Sequence, residues 1–200
     1  KEKKIETNIN IVFAGRLSVK KGVLELVKSW NKIIKEFSNA RLFIIGRDSE
    51  HGDLKSMASE LKALISPEIS NTVTFIGFVN SEKILHYFQK ASICVFPSHR
   101  EAFSVVILEA MATGTPVVYS KIEPAYEIIE DGLNGILCNP YDPDDIASKI
   151  IYLLKDQTLM RKIGDNARAH VENKFSINSI VNKNLDFYKN CIENYYQNKF

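Results

Sequence analysis

Three short stretches concentrate the residues able to do chemistry. The first is GRLSVKKG at 15–22. Gly15 permits a sharp turn, and Arg16 and Lys21 can converge on one point. Two cations beside a helix N-terminus suit a diphosphate, although the same residues would also serve as solvated cations in a surface loop. The spacing is neither GxGxxG nor GxxxxGK[ST], so dinucleotide and P-loop readings lose their main support. The second stretch, Phe75-Ile76-Gly77-Phe78-Val79, runs an apolar segment into a glycine. Such a glycine allows either a plain turn or the close approach of a flat ring to the backbone. The third stretch, 97–116, is the richest. It carries Glu101 and Glu109, and Ser104 stands where a helix N-cap belongs. Amides at 104–106 could meet a phosphate. Glu109 lies inside the apolar run 105–112, where a carboxylate is costly unless it accepts hydrogen bonds. A vicinal diol such as a ribose supplies two; the plain alternative is an exposed helical acid.

Other residues offer less. The 4 histidines, His51, His86, His99 and His170, are scattered without the spacing of a metal site. His99 neighbours the third stretch and reads as an inert loop residue, with ligand contact left open. No G-x-S-x-G nucleophile elbow occurs, and GLNG at 132–135 reads as a structural turn.

The elements that position these stretches follow from periodicity. Short β-rich runs at 9–14, 41–45, 72–76, 92–96, 116–119 and 135–138 alternate with helical segments at 21–37, 53–64, 81–90, 104–113, 125–130 and 142–155. Asp53, Ser81 and Ser104 stand at expected N-caps, and Asp142 with Pro143 opens the last of these helices. Runs such as Ile11-Val12-Phe13 and Ile93-Cys94-Val95-Phe96 are apolar without alternation, as strands covered on both faces are. The expected fold class is therefore α/β, a doubly wound parallel sheet of about six strands. In such a sheet ligands bind beyond the carboxyl ends of the strands, where all three stretches fall. Residues 1–8 read as a linker, 9–176 as the ligand-binding domain, and the chain past 156 as helical with breaks near Gly164 and Ser176.

Composition sets the outer bounds. The chain has 200 residues, 45% hydrophobic and 25% charged, which excludes a disordered chain or a disulfide-stapled miniprotein. Its net charge of +2 lacks the broad basic surplus of a nucleic-acid binder. The first hundred residues hold 16 basic and 10 acidic side chains, net +6, and the second hundred hold 10 and 14, net −4, so one half can face an anionic ligand. Cys94, Cys138 and Cys191 are widely spaced and odd in number, which reads as free thiols in a reducing, cytoplasmic setting. No apolar run approaches the roughly 20 residues of a membrane span, and no signal peptide opens the chain. Lys1 in place of a Met start reads as an excised piece of a longer protein.

The pair Glu101/Glu109, with PS before it and EAMATGTPVV from Glu109 onward, joins GRLSVKKG, TFIGFV and the later EIIEDGLNGILCNPYDPDDIA. In this order and spacing the motifs closely resemble the C-terminal domain of GT4-type retaining glycosyltransferases, the glycosyl transferases group 1, over roughly residues 9–190. The resemblance implies one Rossmann-like half of a GT-B enzyme that moves a sugar from a nucleotide-diphosphate sugar to an acceptor hydroxyl with retention, in polysaccharide or glycolipid synthesis. It implies that Arg16 and Lys21, after Gly15, grip the diphosphate without a metal or other cofactor. It further implies that the base packs on Phe78 and Val79, and that Glu109 holds the ribose. Glu101 would then face the donor sugar, with Phe103, Ser104, Val105 and Val106 presenting amides to sugar and β-phosphate. Arg16, Lys21 and Glu101 are the expected catalytic set. Two departures stand out: Gly46-Arg47-Asp48 where the family often has Gly-x-Gly, and Glu101-Ala102-Phe103-Ser104 where it often has Glu-Gly-Phe-Gly.

The same resemblance places the sugar or lipid-linked acceptor on an N-terminal domain outside this chain, leaves room for peripheral membrane association of the full-length protein, and predicts that the fragment alone does not turn over. Two rivals are a nucleotide-sugar epimerase of the same architecture and a donor-binding module without catalysis. The aromatic-rich segment 177–200 is expected to cross to that N-terminal domain. In the isolated domain, residues beyond about 190 are expected to fray or to pack on another copy.

Overall fold

The computed structural model describes residues 8–50 and 56–197. Six strands form one all-parallel sheet: β1 (Ile9–Ala14), β2 (Ala40–Ile45), β3 (Val73–Gly77), β4 (Ile93–Phe96), β5 (Val117–Ser120) and β6 (Ile136–Cys138). Their order is β3-β2-β1-β4-β5-β6. The chain therefore winds outward from β1 to β3, returns to lie beside β1 as β4, and winds outward the other way. β1 and β4 flank the switch point of this doubly wound sheet.

Among the described residues seven α-helices accompany the strands: α1 (Val23–Glu36), α2 (Met57–Leu64), α3 (Ser81–Lys90), α4 (Val105–Ala112), α5 (Pro143–Lys155), α6 (Gln157–Lys174) and α7 (Ile177–Gln197). The non-alternating apolar strands behave as expected, with every residue of β4 and β5 buried. On one face Ile11, Phe13, Leu42 and Val95 pack against Leu26, Trp30 and Ile33 of α1 and Ile146 and Ile150 of α5. On the other, Val12, Cys94, Phe96 and Tyr119 pack against Phe88 of α3 and Ile107 and Met111 of α4. Trp30 is fully buried and its indole N–H donates to Thr72 Oγ1 at 2.8 Å, which satisfies the one polar group a buried indole carries.

Several local expectations change. α2 is capped by Ser56, whose hydroxyl accepts from Ser59 N at 3.1 Å, while Asp53 lies outside the described residues. The cap of α3 is Asn80, accepting from Lys83 N at 3.0 Å, and Ser81 is the first helical residue. Ser104 does stand at the N-cap position of α4, but its hydroxyl makes no capping bond. The segment expected to be helical at 125–130 is instead a 3₁₀ turn, Glu123–Glu127. Gly164 breaks nothing: it lies inside α6, where a Cβ would come within 2.1 Å of Gly114 O, so its bareness lets α6 press against the turn after α4. The break falls only at Phe175–Ser176. α7 then runs as regular helix through Gln197, and it buries none of its residues.

Candidate functional site

The loops after β1, β2, β3 and β4 meet at the carboxyl edge of the sheet, held there by main-chain bonds. Gly15 N donates to Ile45 O and Leu17 N to Arg47 O, both at 2.9 Å, so the loops after β1 and β2 move together. Gly46 N donates to Gly77 O at 2.9 Å and ties in the end of β3. Gly46 also has no room for a side chain, since a Cβ would fall 1.7 Å from Gly15 O. Across the switch point, His99 N donates to Lys20 O at 2.8 Å. Gly22, with φ +64°, opens α1 so close to Pro97 that a Cβ would sit 1.8 Å from its carbonyl oxygen. Only glycine meets both conditions there.

This stitching brings two residues 80 positions apart into contact: Lys21 Nζ ion-pairs with the Glu101 carboxylate. The pair is sheltered, its side chains 28% and 15% exposed. Arg16, by contrast, is exposed and has no ion-pair partner among the described residues. It lines a cavity of about 310 Å³ together with Gly15, Phe78, Val79, Ile84 and Val106. The walls are mostly apolar with two guanidinium side chains, Arg16 and Arg47, among them, a lining suited to a flat ring bearing an anionic tail. Gly77 precedes Phe78 with φ +79° and open space around it, so the turn leaves Phe78 69% exposed at the rim. A larger groove of about 780 Å³ lies at the amino edge of the sheet, lined by Asn8, Ser92, Pro116 and Arg161. None of the sequence candidates falls in it.

Thus the structure brings Gly15, Arg16, Phe78, Val79 and Val106 into one cavity and places Lys21 and Glu101 as a pair outside its lining. Phe103 and Val105 are exposed, at 44% and 60%, and Ser104 is buried. Val105 and Val106 open α4, where a helix has no carbonyl one turn back for its first amides, while Ile107 N already donates to Ser104 O at 3.2 Å. Phe103 also packs its ring 6.0 Å from Phe175, at the junction of α6 and α7. Glu109 is half-buried and makes no hydrogen bond or ion pair among the described residues; burial pushes its carboxyl above the ordinary value.

Three neighbours of the site escaped sequence reasoning. Tyr119, at the carboxyl end of β5, is fully buried with its hydroxyl unpartnered. Burial first, and the Glu101 charge second, push its phenol well above the ordinary value. His99 is not inert: its ring stacks on Tyr141 at 4.3 Å, and Nε2 lies 3.2 Å from both Pro140 O and Glu25 Oε2. A carbonyl only accepts, so Nε2 carries the proton, and His99 fastens the Glu101 loop to α1 and to the loop before α5. Arg47, the residue after Gly46, lines the same cavity as Arg16 and lies 5.2 Å over the Phe78 ring. Its signal was present in the Gly46-Arg47-Asp48 departure, a cation at the end of β2 on the ligand-binding edge.

Known proteins resemble this chain in sequence and fold. An uncharacterised glycosyltransferase of Methanocaldococcus jannaschii is 36% identical over 183 residues, 92% of this chain and 45% of its own length. The capsular polysaccharide biosynthesis glycosyltransferase CapM of Staphylococcus aureus is 30% identical over 87% of this chain and 44% of its own. The chain therefore spans under half the length of these curated relatives. Among solved structures, Anabaena HepE in complex with UDP superposes with a TM-score of 0.83 at 26% identity, covering 92% of this chain and 49% of HepE. The C-terminal domain of a glycosyl transferase group 1 family protein from Francisella tularensis superposes at 0.75 with 29% identity, covering 87% of this chain and 89% of that one. The family model for glycosyl transferases group 1 matches residues 1–170. With the doubly wound sheet and the crevice at its switch point, these matches establish that the chain belongs to the glycosyl transferases group 1.

Proposed function

We propose that this chain is the donor-binding half of a glycosyltransferase that moves a sugar from a nucleotide-diphosphate sugar to an acceptor hydroxyl, retaining the anomeric configuration, in polysaccharide or glycolipid assembly. One observation carries the reading: a mostly apolar cavity at the carboxyl edge of the sheet, lined by an Arg16 that has no ion-pair partner among the described residues, with the Lys21–Glu101 pair on the neighbouring loops. The base enters between Gly15, Phe78 and Val79, and the diphosphate lies toward Arg16, Lys21 and the first-turn amides of α4. Glu109 accepts the ribose hydroxyls. Glu101 accepts hydroxyls of the donor sugar, and Ser104 closes the turn beneath them.

The difficult step is departure of the diphosphate as an oxocarbenium-like centre forms. Arg16 and Lys21 stabilise the negative charge growing on the leaving group. Binding proceeds without a divalent metal, because the two cations supply the positive charge the diphosphate requires. The acceptor, a sugar or lipid-linked sugar, is held by the remainder of the full-length protein, which works in the cytoplasm or at a membrane surface, and this chain alone binds donor without turnover. Calorimetry tests the core of the reading. UDP, GDP or ADP, and the corresponding nucleotide sugar, should bind this chain equally well with and without EDTA. Failure of all three nucleotides, or binding that EDTA abolishes, would sink it.

A further inference from the structure

The nucleotide reading leaves one charged residue of the cavity unused. Arg47 is the first residue after β2 able to carry a side chain outward, because Gly46 is pressed against Gly15. Its main chain is held on one side by the bond from Leu17 N to Arg47 O, at 2.9 Å. On the other side Asp48 is locked: its carboxylate accepts from Ser49 N and Ala58 N, both at 2.9 Å, and from Ser56 Oγ at 2.7 Å. With Asp48 committed to opening α2, it does not neutralise its neighbour, and the Arg47 guanidinium has no ion-pair partner among the described residues. Instead it lies over Phe78 at 5.2 Å from the ring centre.

Position along the sheet edge separates this cation from the others. Reading across β3, β2, β1 and β4, the edge presents Phe78 and Val79, then Arg47, then Arg16, then Lys21 with Glu101. The diphosphate belongs at the β1–β4 end and the ring at the β3 end. Arg47 is on the ring side. A guanidinium is a fork of donors with no acceptor, so it rewards a carbonyl oxygen and leaves an exocyclic amine facing another donor. Uracil and guanine present an oxygen where cytosine and adenine present that amine.

On this geometry we infer that Arg47 is a specificity-determining residue that closes on the base from the Phe78 side and selects oxo bases, uracil or guanine, over amino bases. The inference rests on the donor-binding reading above. The two matched pairs UDP/CDP and GDP/ADP isolate the exchange of oxygen for amine at constant ring size. Calorimetry on this chain should give, in the tighter-binding pair, an oxo-base preference of about tenfold, the discrimination expected of a well-formed arginine fork. Arg47→Ala should cut that preference to about twofold by weakening the oxo member while barely moving the amino member. Arg47→Lys, which keeps the charge and loses the fork, should do nearly the same. Equal weakening of all four ligands would make Arg47 a phosphate contact, and an unchanged ratio would make it a bystander; either overturns the inference while leaving the donor-binding reading intact. If the unmodified chain binds none of the four, both fall together. Which pair binds tighter tells uracil from guanine.

Discussion

The carboxyl edge of the sheet and helix α7 are opposites. At the edge, backbone bonds join the loops after β1, β2, β3 and β4, glycines allow contact closer than any side chain would permit, and a lysine meets a glutamate 80 residues away. α7 is the longest helix, yet none of its residues is buried. It nevertheless carries Ile177, Val181, Leu185, Tyr188, Ile192 and Tyr196, spaced by three or four residues, the stripe of a helix that packs. The edge holds its geometry with this chain's own contacts. The stripe on α7 is an apolar face that its own domain does not cover.

The sharpest break in that contrast is Gly22→Ala. A Cβ at Gly22 would need a left-handed φ and would collide with Pro97 O, so the variant should lose about 3 kcal/mol or more in urea unfolding, and nucleotide binding with it. Unchanged stability would mean the edge is far more pliant than its contacts imply. Arg16→Ala comes next. With no partner to release, it should weaken nucleoside diphosphates by about ten- to hundredfold with stability untouched, as removal of a charged hydrogen-bond donor does. An effect below twofold would remove Arg16 from the diphosphate.

Glu109→Gln should weaken nucleotides and nucleotide sugars alike, by about tenfold. Burial raises the Glu109 carboxyl in the folded chain, so its ionisation opposes folding: its favourable contribution is present below the unfolded value and is lost as pH rises through the folded one. Ribose hydroxyls need the ionised form. Affinity should therefore fall as pH drops from 7 toward the carboxylate range, and in Glu109→Gln this component of the pH dependence should disappear. A profile identical in both proteins would exclude Glu109 from the ribose. Glu101→Gln should act more narrowly, weakening the nucleotide sugar several-fold while the nucleoside diphosphate, now facing a released Lys21, binds as well or better. Parallel losses for both ligands would contradict this division between the two glutamates.

The smallest effect is expected at α7. Ile192→Ser and Tyr188→Ser should change the unfolding free energy of this chain by less than about 0.5 kcal/mol and leave nucleotide affinity unaltered, because neither side chain is buried. A larger loss would mean that α7 packs on its own domain after all.

Much of this molecule could be read along the chain. Apolar runs without alternation announced covered strands, and all six strands appear within a residue or so of where the runs lie. Periodicity placed α1, α3 and α5, and the clustering of charged and glycine residues after strands marked the edge that carries the site. These are local properties, because strand and helix periods are written in neighbouring residues. Where two caps were both locally acceptable, as with Asn80 and Ser81, the sequence could not choose between them. Gly164 looked like a helix breaker because its reason lies 50 residues away, at Gly114.

What only the tertiary structure decided is which of those loaded loops meet, and how. That Lys21 answers Glu101, that Arg47 lies over Phe78 with Arg16 in the same cavity, and that Glu109 and the Tyr119 hydroxyl lack partners among the described residues all depend on the order β3-β2-β1-β4-β5-β6. That order sets β1 beside β4 across some 80 residues of chain, a distance over which no local pattern in the sequence can report a contact.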